Sequence, residues 1–252
     1  MKIRILGSGT STGVPQIGCN CPVCMSADSR DSRLRASAMV ETEDARILID
    51  CGPDFREQVL HLPFAKVDGV LITHEHYDHV GGLDDLRPFC SFDSVPVYAE
   101  KYVTQGLRSR MPYCFVEHPY PGVPNIPLRE IVPSQPFRIN DTEILPIRVM
   151  HGRLPILGYR IGRLAYITDM LTMPEESYEQ LAGVDVLVMN ALRVGPHSTH
   201  QNLEEALAAA QQIQAKETYF IHMSHDLGLH VEVEKKLPEN IHLAFDGLEI
   251  YL

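Results

Sequence analysis

Four histidine and aspartate side chains lie within six consecutive residues of this chain, in the segment His74-Glu75-His76-Tyr77-Asp78-His79. The segment directly follows Gly69–Thr73, a short apolar run that predicts a buried strand. Imidazole and carboxylate groups suit zinc, manganese or ferrous ions, and four ligands from so short a segment are more than one ion normally takes. The segment therefore predicts a site for two metal ions at the end of a strand. The need to bring these ligands together at the end of a strand constrains the fold more than any other feature of the sequence.

The composition indicates a folded and acidic protein. The 252 residues include 22 Lys and Arg against 33 Asp and Glu, a formal net charge of −11, and 44% of them are hydrophobic. This balance excludes a disordered chain, and it argues against a long nucleic acid or an anionic membrane as partner, because both need a broad basic surface. No apolar run approaches the ~18 residues that cross a bilayer, and no signal-peptide pattern follows the first residues. We therefore expect a soluble, cytoplasmic protein.

Apolar runs alternate with helical patterns along the chain, and hairpins are interleaved among them. Asn202 and Glu205 have the form of a capping box, which predicts that a helix begins there. The predicted helices are Pro53–Leu60, Glu100–Arg110, Asn202–Ala215 and Val231–Lys236, and the predicted strand regions are Lys2–Leu6, Arg46–Asp50, Gly69–Thr73, Val95–Ala99, Phe137–Val149, Tyr159–Thr168, Val184–Met189, Thr218–Ile221 and Ile241–Leu252. This order predicts one α/β domain over residues 1–252, with mixed sheets rather than a doubly wound parallel sheet.

The segment His74–His79 resembles the metallo-β-lactamase superfamily, whose members carry His-x-His-x-Asp-His after a buried strand. Three further residues match the rest of that superfamily's ligand set, and each follows an apolar strand: His151, Asp169 and His222. The resemblance implies a four-layer αβ/βα sandwich of two mixed β-sheets with helices on the outer faces. It assigns His74, His76 and His151 to one ion and Asp78, His79 and His222 to the other, with Asp169 between the two ions.

Two further aspartates, Asp50 and Asp54, lie at and just beyond the end of the predicted strand Arg46–Asp50. Neither belongs to the ligand set that the resemblance implies. A carboxylate often holds the outer nitrogen of a metal-binding histidine. We therefore expect these two residues to have such a supporting role or a structural one.

Other motifs resemble the branch of the superfamily that processes the 3′ ends of transfer RNA. They are the glycine-rich opening Ile5–Pro15, the segment Ser198–Gln201 ahead of the alanine-rich helix, and His222-Met223-Ser224 after its strand. Members of that branch hydrolyse phosphodiesters and carry a histidine just before that helix. The resemblance implies that His200 is the general acid that protonates the leaving oxygen, with His197 as the alternative. Together with His200, Asp78 is predicted to be catalytic.

A small anionic phosphodiester is the expected substrate, because the chain has no basic insertion that could grip a transfer RNA. Over its whole length the chain resembles the phosphodiesterases of bacterial phosphonate catabolism, which open 5-phospho-ribose 1,2-cyclic phosphate to ribose 1,5-bisphosphate. The resemblance implies that activity, two catalytic divalent ions (manganese favoured, zinc also admitted) and a homodimer. Arg153, close to His151, is a candidate for contact with the substrate. The alternatives are an RNA 3′-end processing endonuclease, a thioester hydrolase, and a metal-binding sensor without catalytic activity.

A second metal-binding pattern lies in the loop of residues 19–24, where Cys19, Cys21 and Cys24 occur within six residues. Clustered thiols in a chain without a secretion signal indicate metal binding rather than disulfides. Three thiolates favour a tetrahedral zinc, which needs a fourth ligand. His225 is the expected fourth ligand, with Cys51 and His230 as alternatives. The same resemblance implies a structural zinc at this position.

Overall fold

The computed structural model describes residues 1–115, 120 and 122–252, and these residues form fourteen strands. In chain order the strands are β1 (Lys2–Gly7), β2 (Ser37–Glu41), β3 (Arg46–Ile49), β4 (Gly69–Leu71), β5 (Val97–Ala99), β6 (Leu128–Glu130), β7 (Phe137–Ile139), β8 (Thr142–His151), β9 (Leu154–Ile161), β10 (Leu164–Ile167), β11 (Val186–Asn190), β12 (Glu217–Ile221), β13 (Ile241–Leu243) and β14 (Glu249–Tyr251). They make two seven-stranded sheets, with the strand orders β14-β1-β2-β3-β4-β5-β6 and β13-β12-β11-β10-β9-β8-β7. Both sheets are mixed, because β3 to β6 and β10 to β13 are parallel whereas the other neighbours are antiparallel.

Helices cover the outer face of each sheet. In the described part of the chain they are α1 (Phe55–Val59), α2 (Tyr77–Val80), α3 (Lys101–Arg110), α4 (Glu175–Gln180), α5 (Leu203–Ile213) and α6 (His230–Glu234). One apolar cluster fills the space between the sheets, for example Ile5 and Leu71 with Tyr166. A second cluster packs α1 and α3 against the first sheet, and a third packs α5 against the second sheet. The result is a four-layer αβ/βα sandwich, which confirms the predicted fold.

Several local predictions need correction. The predicted closing region Ile241–Leu252 is two strands in different sheets, because the chain turns at Gly247 (φ +89°) after β13 and crosses to pair with β1. Strand β8 pairs with β9 along most of its length, so the two predicted hairpins form one continuous meander. The strand β4 ends at Leu71 rather than Thr73, and the histidine-rich segment after it includes a helical turn, Tyr77–Val80. No helix within the described residues is long and apolar enough to span a membrane.

The sheets are also joined directly beside the predicted metal ligands. Leu157 of β9 donates its backbone N–H to the carbonyl oxygen of Thr73 at 3.0 Å. The buried hydroxyl of Tyr159 donates to the carbonyl oxygen of Ile72 at 2.5 Å. These bonds tie the second sheet to the two residues that precede His74. The fold therefore fixes the start of the histidine-rich segment from both sheets.

Candidate metal centre

Three polar residues lie one or two positions after parallel strands and have left-handed backbone conformations. Asp50 follows β3 with φ +58°, Asp169 lies two residues after β10 with φ +55°, and His222 follows β12 with φ +54°. A residue other than glycine in this region costs on the order of 1–3 kcal/mol, and such strain is concentrated at functional sites. The three turns bring the side chains of all three residues into the interior, where each is almost completely buried.

Asp78, His79, Asp169 and His222 form one compact group, in which the potential ligand atoms lie within 4.8 Å of one another. The Nε2 atom of His79 is 3.2 Å from a carboxylate oxygen of Asp78 and 3.3 Å from one of Asp169. The Nε2 atom of His222 is 3.1 Å from Asp169. The structure therefore brings together the predicted ligands of the second ion and the predicted shared aspartate.

This group fits a divalent cation. The Nε2 atoms of His79 and His222 are buried, and in the described part of the chain neither has a hydrogen-bond partner, although carboxylate oxygens lie close by. Buried polar atoms are normally hydrogen-bonded, so nitrogen and oxygen atoms that converge without such bonds need another partner. A cation is that partner, because it binds imidazole nitrogens and carboxylates together. Burial opposes ionisation of Asp169, but nearby His222 and His79 outweigh it and hold its pKa well below the usual range.

The predicted ligands of the first ion also lie together. The Nε2 atom of His74 is 3.0 Å from Nδ1 of His76. The ring of His151 is centred 5.7 Å from that of His74 and 5.2 Å from that of His76. Two carbonyl oxygens, of Asp169 and Thr199, accept from Nδ1 of His151 at 3.0 Å each, which leaves Nε2 available as a ligand. Burial lowers the pKa of His74 well below its usual value, so its imidazole is neutral, as a metal ligand must be.

Asp50 supports ligands of both predicted ions. Its Oδ2 accepts from Nδ1 of His79 at 2.7 Å, and its carboxylate also accepts from the hydroxyl of Thr73 at 2.9 Å. The same hydroxyl accepts from Nδ1 of His74 at 3.0 Å. Asp50 therefore orients His79 directly and His74 through Thr73, a role that the sequence analysis allowed for Asp50 but missed for Thr73. Asp54 instead accepts from the backbone and the guanidinium of Arg35, at 2.9 and 2.7 Å, and is structural.

A polar residue that the sequence analysis missed holds the chain after Asp169. Asn190, the last residue of β11, accepts from the backbone N–H of Met170 at 2.7 Å and donates to the carbonyl oxygen of Met170 at 2.9 Å. Asn190 is completely buried. Its position at the end of an apolar strand, like Asp50 and His222, is the signal that identifies it.

His200 lies within the cluster of predicted ligands. Its Nε2 is 2.9 Å from Oδ1 of Asp169, and its ring stacks on that of His222 with centroids 5.0 Å apart. Burial lowers the pKa of His200, while the hydrogen bond to Asp169 acts in the opposite direction. His197 contacts the other side of the ring, with the two Nδ1 atoms 3.1 Å apart. With His151 and Asp169, His200 also forms a third potential ligand group, which the sequence analysis did not anticipate.

The structure brings the three clustered cysteines together with His225. The potential ligand atoms of Cys19, Cys21, Cys24 and His225 lie within 4.8 Å of one another. Nδ1 of His225 is 3.4 Å from the sulfur of Cys21, and its Nε2 donates to the side-chain oxygen of Gln16 at 3.0 Å. That bond leaves Nδ1 unprotonated and directed at the sulfur atoms. The alternative ligands lie elsewhere: Cys51 is in the core beside α1, and Nδ1 of His230 accepts from Arg33.

The thiols of this cluster also favour a cation. The backbone N–H of Cys24 lowers the pKa of Cys21 to about 6, which favours a thiolate. Burial, together with the neighbouring sulfur atoms of Cys19 and Cys21, raises the pKa of Cys24 to about 11. Three close thiolates therefore need a positive charge between them, and zinc bound to three sulfurs and one nitrogen supplies it.

Arg153, the predicted substrate contact, is exposed.

Comparison with known proteins agrees with this fold. The sequence pattern of the beta-lactamase superfamily domain matches residues 45–223. The crystal structure of a diphosphatase from the PhnP family superposes with a TM-score of 0.92, at 40% identity, over 99% of this chain and 96% of that chain. The protein therefore belongs to the beta-lactamase superfamily and, within it, to the PhnP family. This result confirms the family that the sequence motifs indicated.

Two other relatives extend the comparison. Human tRNase Z, short form, shares the fold with a TM-score of 0.74 at 17% identity, over 100% of this chain and 99% of that chain. A Porphyromonas gingivalis protein named octanoyltransferase is 48% identical over 251 residues, which are 99% of this chain and 51% of that protein. This chain thus spans about half the length of that relative, whose name describes a protein about twice as long as the matched region.

Proposed function

We propose that this protein is a cytoplasmic, metal-dependent phosphodiesterase that hydrolyses a small anionic phosphodiester. The first candidate substrate is 5-phospho-ribose 1,2-cyclic phosphate, opened to ribose 1,5-bisphosphate in phosphonate catabolism. The observation that carries the proposal is the contact of 2.9 Å between Nε2 of His200 and Asp169, the aspartate shared by the predicted ligand sets. This contact supports a role for His200 as an acid beside a reacting phosphoryl group.

Two divalent ions are the cofactors of this proposal. Asp78, His79 and His222 would hold one ion, His74, His76 and His151 would hold the other, and Asp169 would contact both. When bound, two such ions supply a nucleophilic water at neutral pH and positive charge for the phosphoryl oxygens. Manganese is the proposed catalytic metal and zinc the alternative, because nitrogen and oxygen ligands suit both. The cysteine cluster would hold a structural zinc.

The protein's own groups would move the proton that the reaction needs. Water adds to phosphorus and gives up one proton, which restores the protonated form of His200 after the reaction. The bond from phosphorus to the 2-oxygen of the ribose breaks, and that oxygen leaves with the electron pair. His200 donates a proton to the leaving oxygen, since an alkoxide is a poor leaving group at neutral pH. Asp169 holds Nε2 of His200 in place for this transfer, and His197 contacts the opposite side of the ring.

Charge supports a small substrate. The chain has a net charge of −11, so its surface repels a long nucleic acid. Bound cations would make the candidate metal centre positive, which suits a compact phosphate ester. The PhnP-family relative is named a diphosphatase, and a diphosphate linkage is broken by the same attack on phosphorus, so a diphosphate ester is the second candidate substrate. A homodimer is also part of the proposal, and analytical ultracentrifugation tests it.

A substrate panel tests the proposed activity. Manganese-loaded protein is assayed on the ribose cyclic phosphate, a nucleoside diphosphate ester, a precursor transfer RNA and octanoyl-coenzyme A. The last substrate is included because one relative is named octanoyltransferase. We expect cleavage of the small phosphate esters with the highest kcat/KM for the cyclic phosphate, and loss of that cleavage in His200→Ala. Cleavage of octanoyl-coenzyme A alone would show a thioester hydrolase, and no cleavage with full metal binding would favour a sensor.

A further inference from the structure

One four-residue segment contributes to two separate groups of potential metal ligands. His222 belongs to the group of Asp78, His79 and Asp169, and His225 belongs to the group of the three cysteines. Only Met223 and Ser224 lie between them. A short stretch of backbone therefore connects the predicted catalytic ions with the cysteine cluster. We call residues 222–225 the connecting segment.

The connecting segment is held in a strained conformation. His222 has φ +54°, a left-handed value that is costly for a residue with a side chain and persists only where the surroundings hold it. Backbone hydrogen bonds do so on both sides: Met223 donates to Ser8 at 3.0 Å and accepts from Thr10 at 3.1 Å, and Ser224 donates to Leu192 at 2.9 Å. The position of His222 thus depends on what fixes the residues that follow it.

The loop of residues 8–24, which follows β1, contacts the connecting segment at two points. Ser8 and Thr10 pair with Met223 through backbone hydrogen bonds, and Gln16 and the three cysteines surround His225. The first point is itself anchored, because the backbone and the hydroxyl of Ser8 both donate to half-buried Asp246 at 2.8 Å. Within the described residues, the second point is held by the bond from His225 to Gln16 and by the packing of Val23 and Cys24 against Leu229. It also contains three thiols around one imidazole nitrogen, which a metal ion would join.

We propose that the two groups are coupled: a zinc ion bound by Cys19, Cys21, Cys24 and His225 fixes the connecting segment and thereby strengthens metal binding by Asp78, His79, Asp169 and His222. His225 is then a positioning residue for His222. Coupling between two sites is reciprocal, so a metal ion at the group of His222 strengthens metal binding at the cysteine cluster by the same factor. The proposal goes beyond the proposed activity and does not depend on it, because both of its tests measure metal affinity.

The first test compares three variants of the full chain with the cysteine cluster supplied with zinc. Manganese binding is measured by electron paramagnetic resonance of the free ion. We expect His225→Ala to bind one of its two manganese ions about tenfold more weakly, within the 5- to 150-fold range usual for coupled sites. His225→Cys supplies a fourth thiolate and should restore binding, and His61→Ala, at an exposed histidine, should not change it. Wild-type manganese affinity in folded His225→Ala, checked by circular dichroism and cooperative unfolding, would overturn the proposal.

The second test uses reciprocity and leaves the cysteine cluster intact. Cobalt at this cluster is followed by its thiolate charge-transfer absorption, which histidine and carboxylate ligands do not give. We expect saturating manganese to tighten cobalt binding at the cluster by the same factor as in the first test. His222→Ala should lose this increase, whereas His74→Ala should keep it, because His74 lies outside the connecting segment. An unchanged cobalt affinity with manganese in the wild type would overturn the proposal even if His225→Ala fails to fold.

Discussion

The Oδ2 atom of Asp50 lies 2.7 Å from Nδ1 of His79, and both side chains are completely buried. Burial raises the pKa of Asp50, while the adjacent His79 opposes that shift. A buried carboxylate is costly unless it is fully hydrogen-bonded, and Asp50 meets this condition by also accepting from the backbone and hydroxyl of Thr73. The bond fixes the tautomer of His79, so that its Nε2 faces Asp78 and Asp169.

The first prediction concerns this contact. Asp50→Asn keeps the size of the side chain but removes its charge and replaces one acceptor oxygen by a donor. We expect metal affinity to fall about 10- to 100-fold, as is usual when a group that orients a ligand is lost. Isothermal titration with manganese measures this. Asp54→Asn is the matched control, because Asp54 contacts Arg35 rather than a predicted ligand, and it should keep its metals. Equal affinities in the two variants would contradict the role of Asp50.

The second prediction separates acid catalysis from metal binding. In His200→Ala we expect turnover to fall roughly 10²- to 10⁴-fold with both catalytic ions retained, because a general acid contributes about this much. The loss should be largest for substrates with poor leaving groups, which a series of aryl phosphodiesters measures. His197→Ala removes only the ring that contacts His200, so it should lose less turnover. If His200→Ala loses a metal ion together with turnover, then His200 is a ligand alongside His151 and Asp169.

The third prediction uses two buried tyrosines with different surroundings. The hydroxyl of Tyr159 donates to the carbonyl oxygen of Ile72, whereas the buried hydroxyl of Tyr166 has no hydrogen-bond partner within the described residues. Tyr159→Phe should lower the free energy of unfolding by about 1–3 kcal/mol, since it leaves a buried carbonyl oxygen without its donor. Tyr166→Phe should be neutral or stabilising. Urea unfolding measures both, and an equal loss in the two variants would be inconsistent with these contacts.

The fourth prediction concerns the cysteine cluster. Cys24→Ser removes one of three sulfur ligands and should lower the zinc content by one ion per chain, with a lower melting temperature, because metal-binding energy is folding energy. Elemental analysis and thermal unfolding measure the two effects. Cys90→Ser is the matched control, at a half-buried cysteine outside the cluster. Retention of zinc in Cys24→Ser would show that His225 and the two remaining cysteines suffice to bind the ion.

Four members of the predicted ligand set, His74, His151, Asp169 and His222, could be predicted from the sequence because each follows an apolar run. Asp169 and His222 follow strands whose hydrophobic character is plain, and the ends of parallel strands meet at one edge of a sheet. Resemblance to a known motif then supplied the assignment of these residues to two ions. The supporting hydroxyl of Thr73 could not be predicted, because its role depends on the approach of Asp50 from the neighbouring strand.

The remaining differences in the fold have physical reasons as well. Strand β2 was missed because its first four residues are all buried, so Ser37–Glu41 lacks the alternation that marks a half-exposed strand. The apolar region Ile241–Leu252 gave no sign that its halves belong to different sheets. That division depends on Asp246, which accepts from Ser8 and Leu34 at the turn, and such contacts between distant residues are not visible in a local pattern.

Isotope labelling of the product tests the central claim most directly. The metal-loaded protein opens the ribose cyclic phosphate in ¹⁸O-labelled water, and ³¹P nuclear magnetic resonance follows the product. Attack of water on phosphorus predicts ribose 1,5-bisphosphate with one ¹⁸O atom in its 1-phosphate group, formed only when metal is bound. Label on the sugar carbon instead, or no phosphate product while octanoyl-coenzyme A is hydrolysed, would contradict the account.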